Sequence, residues 1–398
     1  MLIQFTIENH RSIKDSAVIS FAASKDKSLE ACLLHPDEKR ALLPVISIYG
    51  ANAAGKSNVL HALLTLKDMV AGDAAKLSKG QKLPWEPFAR NDRPTSFEVM
   101  YIYGGVRYVY GVSFDAKKIR SEYLYHWPNG REALIFSREN GKYEFRDNIQ
   151  EQTTLSGRTP DNKLYLVSSN DWNLPQTENP YKWFFEDLCS ITDLSSSSET
   201  VAEIVKSDEQ KARILKELLL ADLGISDVSI KTISGKKEEP IITTTHRMIA
   251  EDGSTEHFEL LMDQESSGTQ RFFARIGGWL QAMENGSLLI VDEIEHSMHP
   301  LLTRRLIEMI QDSELNKNGA QLIFTTHDAQ LLDLTFLRRD QIWFAEKNEN
   351  TCATELYSLA SFSPRKGENI RKGYLQGRFG AIPFIGSRKT ILSEVNLQ

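Results

Sequence analysis

The stretch that decides the fold lies at residues 48–58 and reads Ile-Tyr-Gly-Ala-Asn-Ala-Ala-Gly-Lys-Ser-Asn. It matches the pattern G-x-x-x-x-G-K-[ST] of a phosphate-binding loop, with Gly50, Gly55, Lys56 and Ser57 at the four fixed positions. In such a loop the glycines let backbone amides turn toward a polyphosphate, the lysine reaches the β- and γ-phosphates, and the serine hydroxyl is a ligand of Mg²⁺. The sequence therefore predicts a site for a nucleotide such as ATP, bound with Mg²⁺.

The residues on both sides of this loop support the interpretation. Residues 43–49 form an apolar run typical of a buried strand, and Val59, Leu63, Leu66 and Val70 fall on one face of a helix. The loop would then precede a helix N-terminus, which favours a bound anion. A glycine-rich turn without a ligand is the alternative, and the flanking strand and helix argue against it. We expect nucleotide contacts along the whole loop, from Gly50, Ala51, Asn52, Ala53, Ala54, Gly55, Lys56, Ser57 and Asn58.

Charge and length limit the classes of partner. The chain has 398 residues, with 47 Lys and Arg against 54 Asp and Glu, for a net charge of −7. An acidic chain has no overall positive field to attract DNA or anionic lipid. We therefore expect any DNA binding to be weak, and to come from a local basic patch such as residues 365–366 with 371–372.

Cysteine usage and hydropathy point to a compartment. Cys32, Cys189 and Cys352 are isolated, which is typical of a reducing environment and offers no thiolate metal site. No run approaches 18 apolar residues, and residues 1–8 lack the pattern of a secretion signal. We expect a cytoplasmic protein without a membrane partner.

The N-terminal residues predict a hairpin ahead of the phosphate-loop strand. Residues 2–8 alternate apolar and polar, and a second strand at 17–21 follows a turn that contains Arg11. Two interpretations of this hairpin stay open. It is either an ordinary edge hairpin, or it places Arg11 beside the bound nucleotide.

The middle of the chain predicts loops, a meander and a few helices. Residues 71–94 and 150–180 read as loops, whereas 181–190 and 201–220 have helical periodicity and are separated by four serines at 195–198. Strands are predicted at 96–103, 107–114, 119–126, 132–138, 228–234, 241–248 and 256–262. The tyrosines of the first four strands suit either base stacking or, as is more common, cross-strand packing. They are Tyr101, Tyr103, Tyr108, Tyr110, Tyr123 and Tyr125.

A second element of the nucleotide site is predicted at residues 287–293. This apolar strand ends in Asp292 and Glu293, the form that a Walker B segment takes. Asp292 could hold Mg²⁺ from the side opposite Ser57, and Glu293 could orient or deprotonate the attacking water. The nearby histidines at 296 and 299 leave a metal cluster as an alternative, although a turn before a helix starting at Pro300 fits better.

A helix is predicted over residues 270–283, with its N-terminus at a serine-rich segment, residues 265–271. That N-terminus is a second place where an anion could bind. A plain helix cap is the alternative for these residues.

Together these segments resemble the head domain of ABC-type ATPases. Ser267, Gly268 and Gln270 match the signature Ser-Gly-x-Gln, with a threonine in place of its second glycine, and His327 follows a strand as the switch histidine of that class does. Within this class the chain most resembles the RecF, chromosome-maintenance and OLD branch, whose phosphate loops often carry asparagines at the positions of Asn52 and Asn58. Residues 374–383 resemble the tail of RloA-like ATPases.

The resemblance implies partners and roles. In the resembled class the signature reaches the γ-phosphate bound by another subunit, so ATP would join two heads in a homodimer or higher homo-oligomer, with Glu293 and His327 catalytic. The residues after His327 lack the Asp-x-Asp motif of the TOPRIM nuclease domain that OLD nucleases carry. We therefore expect a separately encoded effector, a nuclease, as in RloA-like and PARIS antiphage systems. The alternatives are a RecF-like repair ATPase that binds DNA directly and a nucleotide-gated scaffold.

These inferences combine into one expected architecture. The fold class is α/β, a P-loop NTPase of the ABC-ATPase head type with an inserted antiparallel meander and a small helical subdomain. Residues 1–70 would form the first lobe, 71–260 the insertion, and 261–398 the second lobe with the signature, Asp292 and His327.

Overall fold

The structure is a computed structural model of the chain, and it describes residues 1–190, 208–221, 224–232, 240–296, 298–365 and 367–383. Some features predicted from the sequence lie wholly or partly outside these residues. They are the serine run at 195–198, the first part of the helix predicted at 201–220, the end of the strand predicted at 228–234, Lys366 of the basic patch, and the end of the lobe predicted at 261–398.

The described residues form eighteen strands and eight α-helices. The strands are β1 (Leu2–Glu8), β2 (Ala17–Ser20), β3 (Leu34–Asp37), β4 (Arg40–Leu42), β5 (Val45–Tyr49), β6 (Thr95–Tyr103), β7 (Val106–Phe114), β8 (Ile119–Trp127), β9 (Ala133–Glu139), β10 (Lys142–Phe145), β11 (Leu188–Ser190), β12 (Ile225–Thr232), β13 (Pro240–Ile249), β14 (Thr255–Leu261), β15 (Leu288–Val291), β16 (Gln321–Thr326), β17 (Ile342–Lys347) and β18 (Thr354–Ser358). The helices are α1 (Lys56–Ala71), α2 (Ile149–Arg158), α3 (Tyr165–Asp171), α4 (Pro175–Lys182), α5 (Asp208–Leu220), α6 (Ser267–Asn285), α7 (Pro300–Gln311) and α8 (Ile370–Leu375).

The central sheet holds the phosphate loop. Its described strands follow the order β11-β15-β16-β5-β17-β18, all parallel except for the antiparallel last pair. Strands β5, β15 and β16 are buried along their whole length, which explains their apolar sequences. Because the carboxyl ends of parallel strands lie at one edge of a sheet, the segments that follow β5, β15 and β16 converge there.

Side-chain alternation along the central strands separates two cores. Ile46 and Ile48 of β5 face a core shared with α1 and the large antiparallel sheet. Val45 and Tyr49 face the opposite core, which α6 and α7 complete. The stripe predicted on α1 is buried in the first core as expected, through Val59, Leu63, Leu66 and Val70.

The predicted N-terminal hairpin and the predicted meander form one antiparallel sheet in the order β10-β9-β8-β7-β6-β1-β2. Strand β1 pairs with both β2 and β6, and β10 is a strand that the sequence interpretation missed. Tyr101, Tyr108 and Tyr110 are buried, and the Tyr101 ring stacks on Trp183 at 4.1 Å. For these three tyrosines packing is therefore the correct interpretation, and base stacking is wrong.

Two expectations for the middle of the chain were wrong. Residues 150–180 were expected to be a loop but contain most of α2, α3 and α4. The polar sequence of α2 gives no clear apolar stripe, since its buried residues are Gln152 and Leu155. The helix expected at 181–190 ends before β11, which pairs in parallel with β15. A strand of three residues is too short for periodicity to reveal, and tertiary pairing decides its state.

The remaining predicted strands are confirmed as a third sheet, β12-β13-β14. The α/β class with an antiparallel meander is therefore confirmed. The division at residues 70 and 260 stays a prediction, and β1 and β6 share one sheet across the first boundary.

In the described part of the chain, every helix is too short or too polar to cross a membrane.

Candidate nucleotide-binding site

The phosphate loop is closed around the amine of Lys56. This side chain is 5% exposed, and its Nζ donates to the carbonyl oxygens of Gly50 at 2.9 Å and Ala51 at 3.1 Å. Burial lowers the pKa of Lys56, while the carboxylates of Glu293 and Asp292 oppose that shift. Among the described residues the Lys56 amine donates to carbonyl oxygens, which are neutral, so a phosphate anion would be a stronger partner for it.

Two glycines of the loop are fixed by close approach. Gly55 has φ +99°, and a Cβ there would lie 2.0 Å from Thr354 Oγ1. A Cβ on Gly50 would lie 2.3 Å from the carbonyl oxygen of Ala345. The sequence therefore needs glycine at both positions for space, in addition to backbone freedom. Asn52 and Ala53 are exposed at the tip of the loop, and Ala53 has φ +63°.

A small hydroxyl network supports the loop from behind. Thr354 Oγ1 donates to the carbonyl oxygen of Ala54 at 2.8 Å and lies 2.7 Å from Ser12 Oγ. Ser12 Oγ also accepts from Asn58 Nδ2 at 2.6 Å. Asn58, expected at the nucleotide, thus uses its amide to tie α1 to the β1–β2 turn.

Ser57 and Asp292 meet as predicted. Ser57 Oγ donates to Asp292 Oδ1 at 2.9 Å, and Thr325 Oγ1 donates to the same oxygen at 2.5 Å. Both Ser57 and Asp292 are exposed to solvent. A hydroxyl and a carboxylate that share one exposed position are the oxygen ligands that Mg²⁺ prefers.

Glu293 and His327 are also brought together. His327 Nε2 lies 3.1 Å from Glu293 Oε1, and the backbone amide of His327 donates to Glu295 Oε1 at 2.7 Å. Glu293 has φ +48°, and its amide donates to Thr325 Oγ1 at 2.8 Å. Thr325 therefore contacts both members of the carboxylate pair.

The signature segment combines a helix cap with a cleft wall. Ser266 is the N-cap of α6, and its Oγ accepts from the Thr269 amide at 3.1 Å. Gly268 lies in the first turn, and Gln270 Nε2 donates to the carbonyl oxygen of Glu265 at 2.8 Å. The cap interpretation is correct for one serine, and the next serine, Ser267, lines a cleft.

That cleft, which we call the signature-side cleft, has a volume of about 740 Å³. Ser267 and Gln270 line it together with Ser57, Asp292 and Glu293 of the same chain. One chain thus lines a single cleft with its own signature residues and with Ser57 of its own phosphate loop.

Arg11 lines the signature-side cleft as well, but it is already paired. Its Nε donates to Glu86 Oε2 at 2.5 Å, and its backbone amide donates to the Glu86 carbonyl oxygen at 2.7 Å. Strand β2 is the edge of the antiparallel sheet, so the hairpin is an edge hairpin that also carries Arg11 to the cleft.

A second cavity of about 950 Å³ lies on the other side of the phosphate loop and is called the C-terminal-side cleft. It is lined by Gly50, Ala51 and His327, and by Tyr374 and Ile382 from the C-terminal segment. The phosphate loop thus separates two clefts, and His327 faces the second.

Three site residues were not predicted as such. Thr325 lies two residues before His327, and Ser12 follows Arg11 in the predicted turn. Thr354 gave no local signal, because its role depends on β18 lying beside the loop.

The metal cluster considered around His296 and His299 is not formed among the described residues. His299 is instead the N-cap of α7.

A family profile matches residues 45–333, with the description "AAA domain, putative AbiEii toxin, Type IV TA system". The chain belongs to this AAA-domain family. The matched residues include the phosphate loop, the signature segment, the carboxylate pair and His327. The predicted nucleotide-binding function is confirmed at the level of an AAA-type ATPase domain, whereas the ABC-type assignment stays a prediction. The placement of the chain in the RloA-like or OLD branch also stays a prediction.

One solved structure to which the chain has some similarity is CbiO1 from Clostridium perfringens, described as part of the ABC transporter complex CbiONQ. The two chains are 14% identical in sequence, the alignment covers 94% of this chain and 96% of that chain, and the TM-score is 0.35. At that score the likeness adds nothing about the site. No curated protein sequence matches the chain.

The crowding at Gly55 predicts a specific defect. Gly55→Ala should weaken ATP binding by about 1–3 kcal/mol, which is about 5- to 150-fold, because the added methyl collides with Thr354. Gly157→Ala is the control, since nothing lies within 4 Å of its Cβ position in α2. Titration with a fluorescent ATP analogue measures both. Equal affinity in the two variants would contradict the close packing of the loop.

Proposed function

We propose that this chain is an ATPase that binds ATP with Mg²⁺ at residues 50–58, hydrolyses it, and changes its association with partners according to the bound nucleotide. The observation that carries the proposal is a continuous set of contacts from Ser57 through Asp292 and Thr325 to Glu293 and His327. It joins a phosphate-binding element to a carboxylate that can accept a proton.

The donor set supports Mg²⁺ as the metal. Ser57 and Asp292 would hold it, because hard oxygen ligands from few side chains, completed by water and phosphate, are what Mg²⁺ requires. When bound, the ion would offset the negative charge of the phosphates. Lys56 would contact the same phosphates once its amine leaves the carbonyl oxygens of Gly50 and Ala51.

Glu293 is the proposed general base. Its carboxylate accepts a proton from water as the water oxygen forms a bond to the γ-phosphorus and the bond to ADP breaks. Thr325 fixes the backbone at Glu293 and holds the Asp292 side chain at the same time. His327, 3.1 Å from Glu293 Oε1, orients that carboxylate.

ATP is proposed to join two copies of the chain through the signature segment. The resemblance to ABC-type heads supports contact between Ser267 of one subunit and the nucleotide of the other. Ser267 also lines the cleft of its own chain, which supports the opposite arrangement. A mixture of Lys56→Ala and Ser267→Arg distinguishes these two arrangements.

The biological role is proposed to be regulatory, in an antiphage system with a separately encoded effector nuclease. Two things support it: the resemblance to RloA-like ATPases and the family description, which names a putative toxin of a toxin–antitoxin system. Direct DNA repair is less favoured because the chain carries a net charge of −7.

Glu293→Gln tests the catalytic assignment. It keeps the size of the side chain and leaves Asp292 in place, so ATP should still bind, whereas turnover should fall about 100-fold or more because the base is lost. Phosphate release and equilibrium ATP binding are the two measurements. Glu314→Gln, at an exposed position that lines neither cleft, is the control and should hydrolyse ATP normally. Unchanged turnover in Glu293→Gln would rule out the assignment.

Mixing two inactive variants tests the dimer. Lys56→Ala has a defective phosphate loop and an intact signature. Ser267→Arg has an intact phosphate loop and a defective signature. If the signature acts on the neighbour, half of the random dimers contain one complete site, so the mixture should recover about a quarter of wild-type turnover. Ser254→Arg, at an exposed turn between β13 and β14, is the control for the added arginine.

The opposite result is equally clear. A mixture that stays as inactive as its components, while Ser254→Arg retains activity, would place the signature on the nucleotide of its own chain. Sedimentation of the mixture with and without ATP shows whether dimers have formed, so that failure to associate is recognised.

A further inference from the structure

Three side chains that the proposed ATPase reaction does not use lie together, and one of them, His61, lines the signature-side cleft. They are His10 from the β1–β2 turn, His61 from α1 and Glu86 from the loop between α1 and β6. One potential ligand atom of each lies within 4.8 Å of the other two. His10 Nε2 is 3.1 Å from His61 Nδ1, and His61 Nδ1 is 4.0 Å from Glu86 Oε2.

We propose that these three residues form a zinc site. Two imidazole nitrogens and one carboxylate make up the donor set of zinc sites that have three protein ligands and one open position. Imidazole favours zinc over Mg²⁺ and Ca²⁺, which prefer oxygen. The ligands come from three separate segments, so the ion would tie the first hairpin and the 71–94 loop to α1, one turn after Ser57.

The distances are close to those that zinc requires. At zinc–nitrogen bonds of 2.0–2.1 Å, tetrahedral ligand atoms lie about 3.3–3.4 Å apart. The nitrogen pair at 3.1 Å is slightly closer than this, and the carboxylate at 4.0 Å is slightly farther. The third pair, His10 with Glu86, lies within 4.8 Å, so the three ligand atoms are near the spacing of a zinc site and their orientation has to change.

The burial of the ligands shows which of them would move. The His10 and His61 rings meet nearly edge to edge, with centroids 5.4 Å apart and planes 15° apart. An ion between them requires one ring to turn. His10 is fully buried and its ring lies against Phe97, whereas the His61 side chain is 36% exposed on the cleft. His61 and the half-exposed Glu86 thus adjust to the fixed His10.

The histidines are neutral, as zinc ligands must be. Burial lowers the pKa of His10 to about 3 and also lowers that of His61. Without an ion the pair is a hydrogen bond between two imidazoles, with Thr65 Oγ1 3.2 Å from the same His61 nitrogen. This metal-free arrangement is the competing interpretation.

Arg11 provides an internal competitor. Its guanidinium already holds Glu86 Oε2, and this contact is the main reason that the pKa of Glu86 is lowered. Zinc would take the carboxylate from Arg11. Removing Arg11 should therefore strengthen zinc binding, an effect that a purely structural ion pair would not produce.

Zinc binding to the full chain is measured without nucleotide, in excess Mg²⁺, by calorimetry and by the metal content after gel filtration. Wild type should retain about one zinc ion per chain, since the three ligands form one site. His61→Ala and Glu86→Gln should each weaken binding about tenfold or more, and Arg11→Ala should tighten it. His257→Ala, which removes an exposed histidine elsewhere, should change nothing.

His327→Ala separates this site from the proposed ATPase site, where Glu293 and His327 could also attract zinc. It should leave zinc binding unchanged. Three results would each overturn the proposal. They are absence of zinc from wild type, zinc binding as tight as that of wild type in both His61→Ala and Glu86→Gln, and loss of zinc binding in His327→Ala. Glu86→Gln alters an exposed side chain, so it remains informative if His61→Ala fails to fold. Because no nucleotide is present, these outcomes do not depend on ATP hydrolysis.

Discussion

The arrangement of this site depends on one oxygen atom. Asp292 Oδ1 accepts hydrogen bonds from Ser57, which follows β5, and from Thr325, which lies near the end of β16. Asp292 itself follows β15. A single carboxylate thus joins the ends of three neighbouring parallel strands. Since hydrogen bonds to a charged acceptor each contribute about 1.5–3 kcal/mol, this contact holds the phosphate loop and the catalytic candidates in one register.

The same contact explains why the site is both ordered and open. The strands below it are buried on both faces, while Ser57, Asp292 and Glu293 are exposed at their carboxyl ends. Rigid elements therefore carry exposed polar groups, which is how α/β proteins place ligands at the edge of a sheet. The support behind the loop comes from Ser12 and Thr354, two hydroxyls from distant parts of the chain.

The sequence predicted the parts of this structure that depend on local pattern. The phosphate loop, the stripe on α1, the strand before Asp292 and the meander follow from fixed spacing or from periodicity. The parts that depend on pairing across the fold were missed. Strand β11 exists because it pairs with β15, and Thr354 reaches Ala54 because β18 lies beside the loop. The polar helix α2 also gave no signal, because most of its surface faces solvent.

ATP is expected to bind at the loop closed around Lys56. Calorimetric titration of ATP with Mg²⁺ into wild type, Lys56→Ala and the exposed control Lys317→Ala measures this binding. Losing a charged contact to phosphate should cost Lys56→Ala about 1.5–3 kcal/mol, or about 10- to 150-fold in affinity, at an unchanged unfolding midpoint. Lys317→Ala should bind as wild type does. Equal ATP affinity in Lys56→Ala and wild type would show that the Lys56 amine does not contact the nucleotide.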